Sequence, residues 1–437
     1  MKAIITPKQL HGSIKTVASK SQAHRMLICA AFADEPTDII CRELSLDIEA
    51  TAKCLEAMGS SISYDSGSGS FHVVPAPLKA GNCTASADCT GKVNSAAEKK
   101  QITIDVGESG STLRFLLPVA AALGVNTHIV MHGRLSERPL SPLWEELTAH
   151  GAVLKRNADG SVDVSGRLSG SRYTIAADVS SQFISGLLFA APLIADKDGD
   201  FELELTGNVE SVSYILMSID ALKSFGVEVI RDGSILRINK NAAYVSPHKL
   251  EVEGDWSNGA FWLCAAAMTR DSLKITGLNE ASVQGDRAVR ELIDEIVSRK
   301  NAAADGAVYI DARNVPDLVP VLSVLAASVK GDTVFTHAER LRIKESDRIK
   351  AAVTMLKAIG AKAEETADGL IVRGTGEQLA GGTVDSCNDH RIAMSAAVAS
   401  IICRDKVTVL TAQAVKKSYP AFWQDFALTG GSVITEE

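Results

Sequence analysis

Six segments of this chain place hydroxyl, carboxylate or basic side chains directly before a run of small apolar residues. The apolar runs predict buried helices, so the polar residues would lie at helix N-termini. Backbone N–H groups and the helix dipole favour negative charge at such positions. The six starts are Ser19-Lys20-Ser21, Ser109-Gly110-Ser111, Ser180-Ser181-Gln182, Ser257-Asn258-Gly259, Asp317 and Asp389-His390-Arg391. Their chemistry indicates binding of small anions.

The first start is the strongest candidate for an anion site. Ser21 and Arg25 are four residues apart and share one face of the predicted helix, with Lys20 at the cap. Cations at a helix N-terminus oppose the dipole unless a negative group neutralises them. The segment therefore predicts a phosphate or carboxylate ligand. A capped helix with solvated basic residues is the alternative.

Two further starts offer neutral donors. The segment Gly107-Glu108-Ser109-Gly110-Ser111-Thr112 follows a predicted strand, which is the layout of a backbone nest for an anion. It lacks the spacing of a P-loop or a dinucleotide fingerprint, so nucleotide binding is not indicated. A tight turn with an N-cap explains it equally well. Ser180, Ser181 and Gln182 suit a polyol or a phosphate, and an ordinary cap is the alternative.

Two arginine-rich segments add positive charge. In Arg134-Leu135-Ser136-Glu137-Arg138-Pro139, one arginine could clamp a carboxylate while the other pairs with Glu137, although a surface ion pair is the simpler interpretation. In the segment 340–348, Leu341 and Ile343 alternate with basic residues, which predicts a strand with one cationic face.

Two carboxylates could transfer protons. One lies beside these cations in sequence, and the other lies at a predicted helix start. Glu345 stands between Lys344 and Arg348, where it could act as an acid or base beside an anion clamp. Asp317, after Pro316, is most simply an N-cap, and a general base is the alternative. Together with the basic residues at 391 and 416–417, these groups predict a cleft for a multiply anionic small substrate.

Composition narrows the class of protein. A formal net charge of −8 and an aromatic content of 5% argue against a nucleic-acid partner. The eight cysteines form no C-x-x-C pair, which favours a reducing, cytoplasmic setting without disulfides or zinc. The longest apolar runs, such as 115–125, are too short to span a bilayer, so no membrane partner is predicted.

Helix and strand patterns alternate along the chain, which predicts an α/β (or α+β) protein. Each apolar helix is followed by a more charged, amphipathic helix, predicted at 47–58, 143–150, 214–225, 287–300, 346–359 and 421–428. Six such modules are too large for one core, so a partition into three plus three is expected. The polar segment 80–101 predicts a surface loop, more simply an insertion than a lid.

The motifs, in order, resemble those of the EPSP synthase family of enolpyruvyl transferases and extend over essentially the whole chain. They are SKS-x-x-x-R (19–25), GSTLR (110–114), R-x-x-E-R-P (134–139), SSQF (180–183), R-x-K-E-S-D-R (342–348), NDHR (388–391) and KSYP (417–420). The resemblance implies transfer of the enolpyruvyl group of phosphoenolpyruvate to the 5-hydroxyl of shikimate 3-phosphate, in the shikimate pathway of aromatic amino acid biosynthesis.

The resemblance also implies a fold of two similar globular domains, each of three βαβαββ repeats in an inside-out α/β barrel. Residues 21–250 would form the N-terminal domain, on the shikimate 3-phosphate side. Residues 1–20 and 251–437 would form the other, with a hinge near residues 20 and 250 and the active site in the interdomain cleft. No metal or organic cofactor is expected. The chain is expected to be a monomer.

Site residues follow from the same resemblance. Asp317 would accept a proton, Glu345 would donate one, and Lys20 would touch both ligands. The residues implied for shikimate 3-phosphate are Lys20, Ser21, Arg25, Ser180, Ser181, Gln182, Ser211, Asp317 and Lys344. Those implied for phosphoenolpyruvate are Lys20, Gly110, Arg134, Gln182, Arg348, Arg391 and Lys417. The small residue at Gly110 also predicts inhibition by glyphosate.

The alternative within this fold is a UDP-N-acetylglucosamine enolpyruvyl transferase. That enzyme typically has Lys-Asn at the first site and a reactive loop cysteine. Here Ser21 follows Lys20, and Cys83 and Cys89 lack basic neighbours. A non-catalytic protein that binds phosphate ligands or RNA ends is an alternative of another class. The chain departs from the usual family pattern at Glu108, at Arg340 and at Val212-Ser213.

Overall fold

The structure, a computed structural model, describes residues 1–77, 101–269, 272–299, 302–303 and 306–437. The chain divides into two compact units, one of Lys20–Val252 and one of Met1–Ser19 with Glu253–Glu437. The predicted loop at 80–101, with Cys83 and Cys89, lies outside the described residues except for Gln101. Among the helices described, none has the length and apolar character needed to cross a membrane.

Helices of the described residues alternate between buried and half-exposed. In Lys20–Val252 they are Lys20–Ala31 (α1), Leu46–Ala57 (α2), Gly110–Leu123 (α3), Leu143–Ala149 (α4), Ser181–Ala190 (α5) and Val212–Ser224 (α6). In the other unit they are Trp256–Met268 (α7), Val289–Ser298 (α8), Val319–Ser328 (α9), Arg348–Ala358 (α10), His390–Ala399 (α11) and Phe422–Leu428 (α12).

Strands separate these helices. The first eleven are Lys2–Thr6 (β1), Gly12–Lys15 (β2), Thr37–Ile40 (β3), Ser61–Asp65 (β4), Ser70–Val74 (β5), Ile102–Asp105 (β6), Thr127–Val130 (β7), Ala152–Arg156 (β8), Val162–Gly166 (β9), Arg172–Ala176 (β10) and Phe201–Thr206 (β11). The remainder are Val229–Asp232 (β12), Ile235–Ile238 (β13), Lys249–Glu251 (β14), Leu273–Thr276 (β15), Val308–Asp311 (β16), Gly331–Thr336 (β17), Lys362–Glu365 (β18), Leu370–Gly374 (β19), Gly382–Asp385 (β20), Val407–Leu410 (β21) and Ser432–Glu436 (β22).

Five four-stranded sheets of the described chain repeat one topology. Their orders are β14-β3-β5-β4, β6-β7-β9-β8, β10-β11-β13-β12, β16-β17-β19-β18 and β20-β21-β1-β22. In each, the first pair is parallel and the next two pairs are antiparallel. A parallel pair needs a crossover helix, which α3, α5, α9 and α11 supply. This repetition confirms the predicted α/β class.

Three strands pair with strands that are distant in sequence but belong to the same unit. β1 pairs with β21 and β22, which come from the far end of the chain. β2 pairs in parallel with β15, and β14 pairs in parallel with β3. The amino-terminal strands therefore belong to the unit that contains the carboxyl terminus.

The first helix of each module is buried because it is apolar on all sides. In α3, twelve residues from Gly110 to Ala122 are buried, and in α9 nine residues are. The buried helices pack on one another within each unit: α3 contacts α5, and α7, α9 and α11 contact each other. The second helices are amphipathic, as predicted; in α8 the buried residues are Val289 and Ile296.

Two local predictions are wrong. The segment predicted as a cationic strand is a 3₁₀ helix, Glu339–Ile343, in which Leu341 is buried and Ile343 is exposed. Two apolar residues with a spacing of two are too short a pattern to distinguish strand from tight helix. Asp317 is not an N-cap residue, because it lies inside the 3₁₀ helix Pro316–Leu318, whose N-cap position is Val315. The predicted start at 257–259 does lie in the first turn of α7, and the cap of this helix is Asp255, whose carboxylate accepts from the Asn258 N–H.

Candidate active site

A buried guanidinium joins three carboxylates in the unit that contains both chain termini. Arg348, at the start of α10, is 2% exposed. Its Nη1 donates to Asp317 Oδ1 (2.8 Å), its Nη2 to Glu345 Oε2 (2.6 Å) and its Nε to Asp389 Oδ2 (2.7 Å). The two predicted proton-transfer residues, Asp317 and Glu345, are thus held on one arginine.

Asp317 is held by a second arginine as well. Arg391, in the first turn of α11, donates through Nη2 to Asp317 Oδ2 (2.9 Å) and through Nη1 to the Asp317 carbonyl oxygen (3.1 Å). Burial alone would raise the pKa of Asp317, but the positive charges of Arg391, Lys344 and Arg348 hold this pKa well below its usual range. The carboxylate is therefore ionised and can accept a proton.

Asp389 fixes the geometry of the cluster. Its side chain is fully buried and caps α11 by accepting from the Arg391 N–H (2.9 Å). It also accepts from Ser346 Oγ (3.0 Å) and from Arg348. One carboxylate therefore binds the guanidinium of Arg348 at the start of α10 and the backbone of Arg391 in the first turn of α11. Lys417, which is 8% exposed, lies beside this start and donates to the Asn388 carbonyl oxygen (2.7 Å).

Lys344 is a basic residue of this cluster with a lowered pKa. It follows the 3₁₀ helix Glu339–Ile343. Burial lowers its pKa to about 8, an effect that Arg348 and Arg340 reinforce and Asp317 opposes. A bound anion would favour the protonated form of Lys344. Binding of an anionic ligand would therefore raise the pKa of this side chain.

Asp286 belongs to this electrostatic cluster, although no motif in the sequence identifies it. It is 4% exposed, and its Oδ2 accepts from Ser257 Oγ in the first turn of α7. Burial and the negative charge of Asp317 raise the pKa of Asp286 to about 7, while Arg391 lowers it. A buried carboxyl with a raised pKa is a common feature of functional sites.

The first predicted anion site lies in the other unit, at the start of α1. Lys20 Nζ contacts Asp47 Oδ2 at 2.7 Å. Arg25 is not a solvated basic residue, since it is 2% exposed. Its Nε donates to Ser218 Oγ (2.9 Å) and its Nη2 to the Tyr214 carbonyl oxygen (3.0 Å), which ties α1 to α6.

A second group of predicted residues meets at the start of α3. Gly110 is buried there, and a Cβ atom added to it would lie 2.6 Å from Arg114 Nη1 and 2.7 Å from Arg138 Nη1. Arg114 Nη1 donates to Gln182 Oε1 (3.1 Å), and Gln182 Nε2 donates to Ser111 Oγ (2.9 Å). Gly110 and Gln182 are thus joined through Arg114, a residue of the GSTLR motif that sequence reasoning did not select.

The remaining predicted residues are found at element starts of the same unit. Ser180 caps α5, and Ser181 begins that helix. Ser211 precedes α6 in a left-handed conformation (φ 53°) and is buried. Arg134 lies in the 3₁₀ helix Gly133–Glu137, is 52% exposed, and places Nε 3.6 Å from Glu137 Oε2. Within the described part of the chain, no group of three or more His, Cys, Asp or Glu residues could hold a metal ion.

Comparison with known proteins gives one consistent result. A family model described as EPSP synthase (3-phosphoshikimate 1-carboxyvinyltransferase) matches residues 4–426. The 3-phosphoshikimate 1-carboxyvinyltransferase of Clostridium acetobutylicum is 38% identical over 440 residues, which cover 98% of this chain and 97% of that protein. That of Clostridium perfringens strain SM101 is 36% identical over 449 residues, with both chains fully covered.

Solved structures show the same fold. EPSP synthase from Acinetobacter baumannii superposes with a TM-score of 0.74 at 22% identity, covering 99% of this chain and 100% of that one. The enolpyruvyl transferase NikO from Streptomyces tendae gives a TM-score of 0.71 at 19% identity, covering 99% and 98%. On the family model and the identities of its curated relatives, this chain belongs to the EPSP synthase family, the 3-phosphoshikimate 1-carboxyvinyltransferases.

Proposed function

We propose that this chain transfers the enolpyruvyl group of phosphoenolpyruvate to the 5-hydroxyl of shikimate 3-phosphate, with Asp317 and Glu345 as its proton-transfer pair. The observation that carries this assignment is the placement of both carboxylates on the buried guanidinium of Arg348 (2.8 and 2.6 Å). Addition of a hydroxyl to the double bond of phosphoenolpyruvate needs a base near the hydroxyl and an acid near the methylene carbon.

Asp317 serves as the base. Before substrate binds, the cations around it hold its pKa low, so it is ionised but weakly basic. When phosphate and carboxylate groups of the substrates pair with Arg348, Arg391 and Lys344, those positive charges are neutralised and the pKa of Asp317 rises. Substrate binding therefore increases the basicity of Asp317 at the moment the 5-hydroxyl attacks C2.

Glu345, in its protonated form, donates to C3 of phosphoenolpyruvate. Attack at C2 and protonation at C3 give a tetrahedral adduct that still carries the phosphate. The Glu345 carboxylate then takes a proton back from C3, and phosphate departs with the proton that Asp317 accepted. This restores the double bond in the product and returns both side chains to their starting states. Negative charge grows on the leaving phosphate, and lysine and arginine donors stabilise it.

The proposed ligands of the two substrates overlap at Lys20 and Gln182. Phosphoenolpyruvate is bound by Lys20, Gly110, Arg134, Gln182, Arg348, Arg391 and Lys417. Shikimate 3-phosphate is bound by Lys20, Ser21, Arg25, Ser180, Ser181, Gln182, Ser211, Asp317 and Lys344. Hydrogen bonds to charged groups contribute about 1.5–3 kcal/mol each, so a few of them offset the desolvation of two anions.

The test is release of phosphate from phosphoenolpyruvate with different acceptors. We expect turnover with shikimate 3-phosphate and none with UDP-N-acetylglucosamine. Unphosphorylated shikimate is the matched control for the 3-phosphate and should react far more slowly. Turnover with UDP-N-acetylglucosamine instead would establish the alternative transferase. Absence of phosphate release with every acceptor would favour a non-catalytic binding protein.

Two further properties belong to the proposal. In this proposal the chain acts as a monomer. Sedimentation equilibrium at a mass near 46.2 kDa would agree with this, and a dimer mass would not. The enzyme acts in the cytoplasm, in agreement with eight cysteines without a paired motif. Fractionation of native cells with an antibody would test that placement.

A further inference from the structure

The chain passes between its two units twice, after Ser19 and before Glu253. On the side of the unit that contains both termini, the two passing segments are hydrogen-bonded to each other. The Ser19 N–H donates to the Glu253 carbonyl oxygen (2.8 Å), and the Asp255 N–H donates to the Val17 carbonyl oxygen (2.8 Å). The backbone directly before Lys20 is therefore held against the returning chain.

The side-chain amide of Gln284 joins both passing segments. Its Oε1 accepts from Ser19 Oγ (3.2 Å) and from the Trp256 N–H (3.1 Å). Its Nε2 donates to Glu253 Oε1 (3.0 Å) and to the Gly254 carbonyl oxygen (2.9 Å). Each contact lies within one unit, and together they connect the departing chain, the returning chain and the start of α7.

Glutamine is chemically suited to this position. A side-chain amide has two acceptor lone pairs and two donor hydrogens, and here all four are used. Gln284 is 6% exposed and Ser19 is 0% exposed, so water does not readily replace a lost partner. Glutamate would lose both donors and place its charge beside Glu253. Leucine would keep the volume and lose all four bonds.

We propose that Gln284 is a positioning residue for Lys20, acting through Ser19. Lys20 directly follows Ser19 and begins α1, and Lys20 is a substrate ligand in the proposed function, on which this inference rests. Small displacements of a binding group reduce the rate strongly; a shift of about 1 Å can cost on the order of a hundredfold. Gln284 itself touches no substrate in this proposal.

The experiment compares the full chain carrying Gln284→Leu, Ser19→Ala, both changes together, and Ser323→Ala. Ser323 is the matched control, because its buried hydroxyl donates to the Pro320 carbonyl oxygen (2.7 Å) in the same unit. Phosphate release is measured over a range of each substrate. Hydrogen exchange at the amides of Ser19 and Trp256 is measured on the same samples.

We expect Gln284→Leu to lower kcat/KM at least about tenfold and Ser19→Ala about threefold, with the double variant no worse than Gln284→Leu because both changes break one path. Ser323→Ala should stay within about twofold of wild type, since a purely structural loss leaves the site in place. Full additivity, or wild-type kinetics in a folded Gln284→Leu protein, would overturn the inference.

The inference can also be tested if Gln284→Leu does not fold or if the wild-type chain is inactive. If Gln284→Leu does not fold, Ser19→Ala decides, and unchanged kinetics there would overturn the inference. If the wild-type chain releases no phosphate with shikimate 3-phosphate, the proposed function fails separately. The contact between Gln284 and Ser19 is then judged by exchange: faster exchange at Ser19 in Gln284→Leu than in Ser323→Ala supports it, and equal exchange refutes it.

Discussion

Two arginines six residues apart allow the contribution of buried charge to be measured within one unit. Arg348 is 2% exposed and binds Asp317, Glu345 and Asp389. The side chain of Arg342 is 31% exposed and also binds two carboxylates, those of Asp347 (3.1 Å) and Glu365 (2.9 Å). Substitution by methionine replaces each arginine with an uncharged, unbranched side chain. In both variants the carboxylate partners lose a guanidinium.

The two variants should lose different amounts of the free energy of unfolding, because Arg348 is buried and Arg342 is partly exposed. Three bonds to charged groups, at about 1.5–3 kcal/mol each, set an upper limit for Arg348. Asp317 keeps Arg391, and Asp389 keeps Ser346, so the loss is smaller than that sum. Removal of one partner of a buried ion pair costs about 3–5 kcal/mol, which we expect for Arg348→Met. Exposed ion pairs contribute about 0–1 kcal/mol each, so Arg342→Met should lower the free energy of unfolding by less than about 2 kcal/mol.

Urea unfolding followed by tryptophan fluorescence measures both variants. Three of the four tryptophans, Trp256, Trp262 and Trp423, lie in the same unit as the two arginines. The deficit of Arg348→Met in the free energy of unfolding should stay constant between pH 7 and about 5 and narrow as the pH falls below the ordinary aspartate pKa of about 4. The low pKa of Asp317 adds stability above its unfolded pKa, and this stability is lost on acidification. Equal losses for the two variants, or a loss below about 1 kcal/mol for Arg348→Met, would refute the reasoning.

Four further outcomes are expected. Glu345→Gln should bind both substrates and lose turnover; a rate within about tenfold of wild type, or roughly 1.4 kcal/mol, would exclude Glu345 as the acid. The KM for shikimate 3-phosphate should rise as the pH passes about 8, where Lys344 loses its charge, and a KM independent of pH would contradict that role. Asp286→Asn should match wild type below pH 4 and become the more stable protein as the pH rises toward about 7, because the raised pKa of Asp286 costs stability over that window; identical pH–stability curves would show otherwise. Gly110→Ala should raise the KM for phosphoenolpyruvate and weaken inhibition by glyphosate, because its Cβ would lie 2.7 Å from Arg138 Nη1; unchanged constants would remove Gly110 from the site.

Sequence alone predicted the parts of this protein that depend on neighbours a few residues apart. The apolar periods of α3 and α9 identify buried helices, and the caps at Ser109, Ser180 and Asp389 come from the residues that best accept a bond from a helix N–H. Where the pattern was short, as in Glu339–Ile343, the prediction was wrong because two apolar residues do not define a period.

The ionisation of the site depended on distant parts of the chain. Asp317 meets Arg348 across 31 residues of sequence and Arg391 across 74, and these contacts keep an otherwise unfavourable buried carboxylate charged. No local pattern identifies Asp286 or Gln284 as part of such a network. Hydrogen-bond capacity is a property of the residue, which sequence gives. Partner, burial and pKa are properties of the position, and they exist only once strands and helices from separate repeats have packed together.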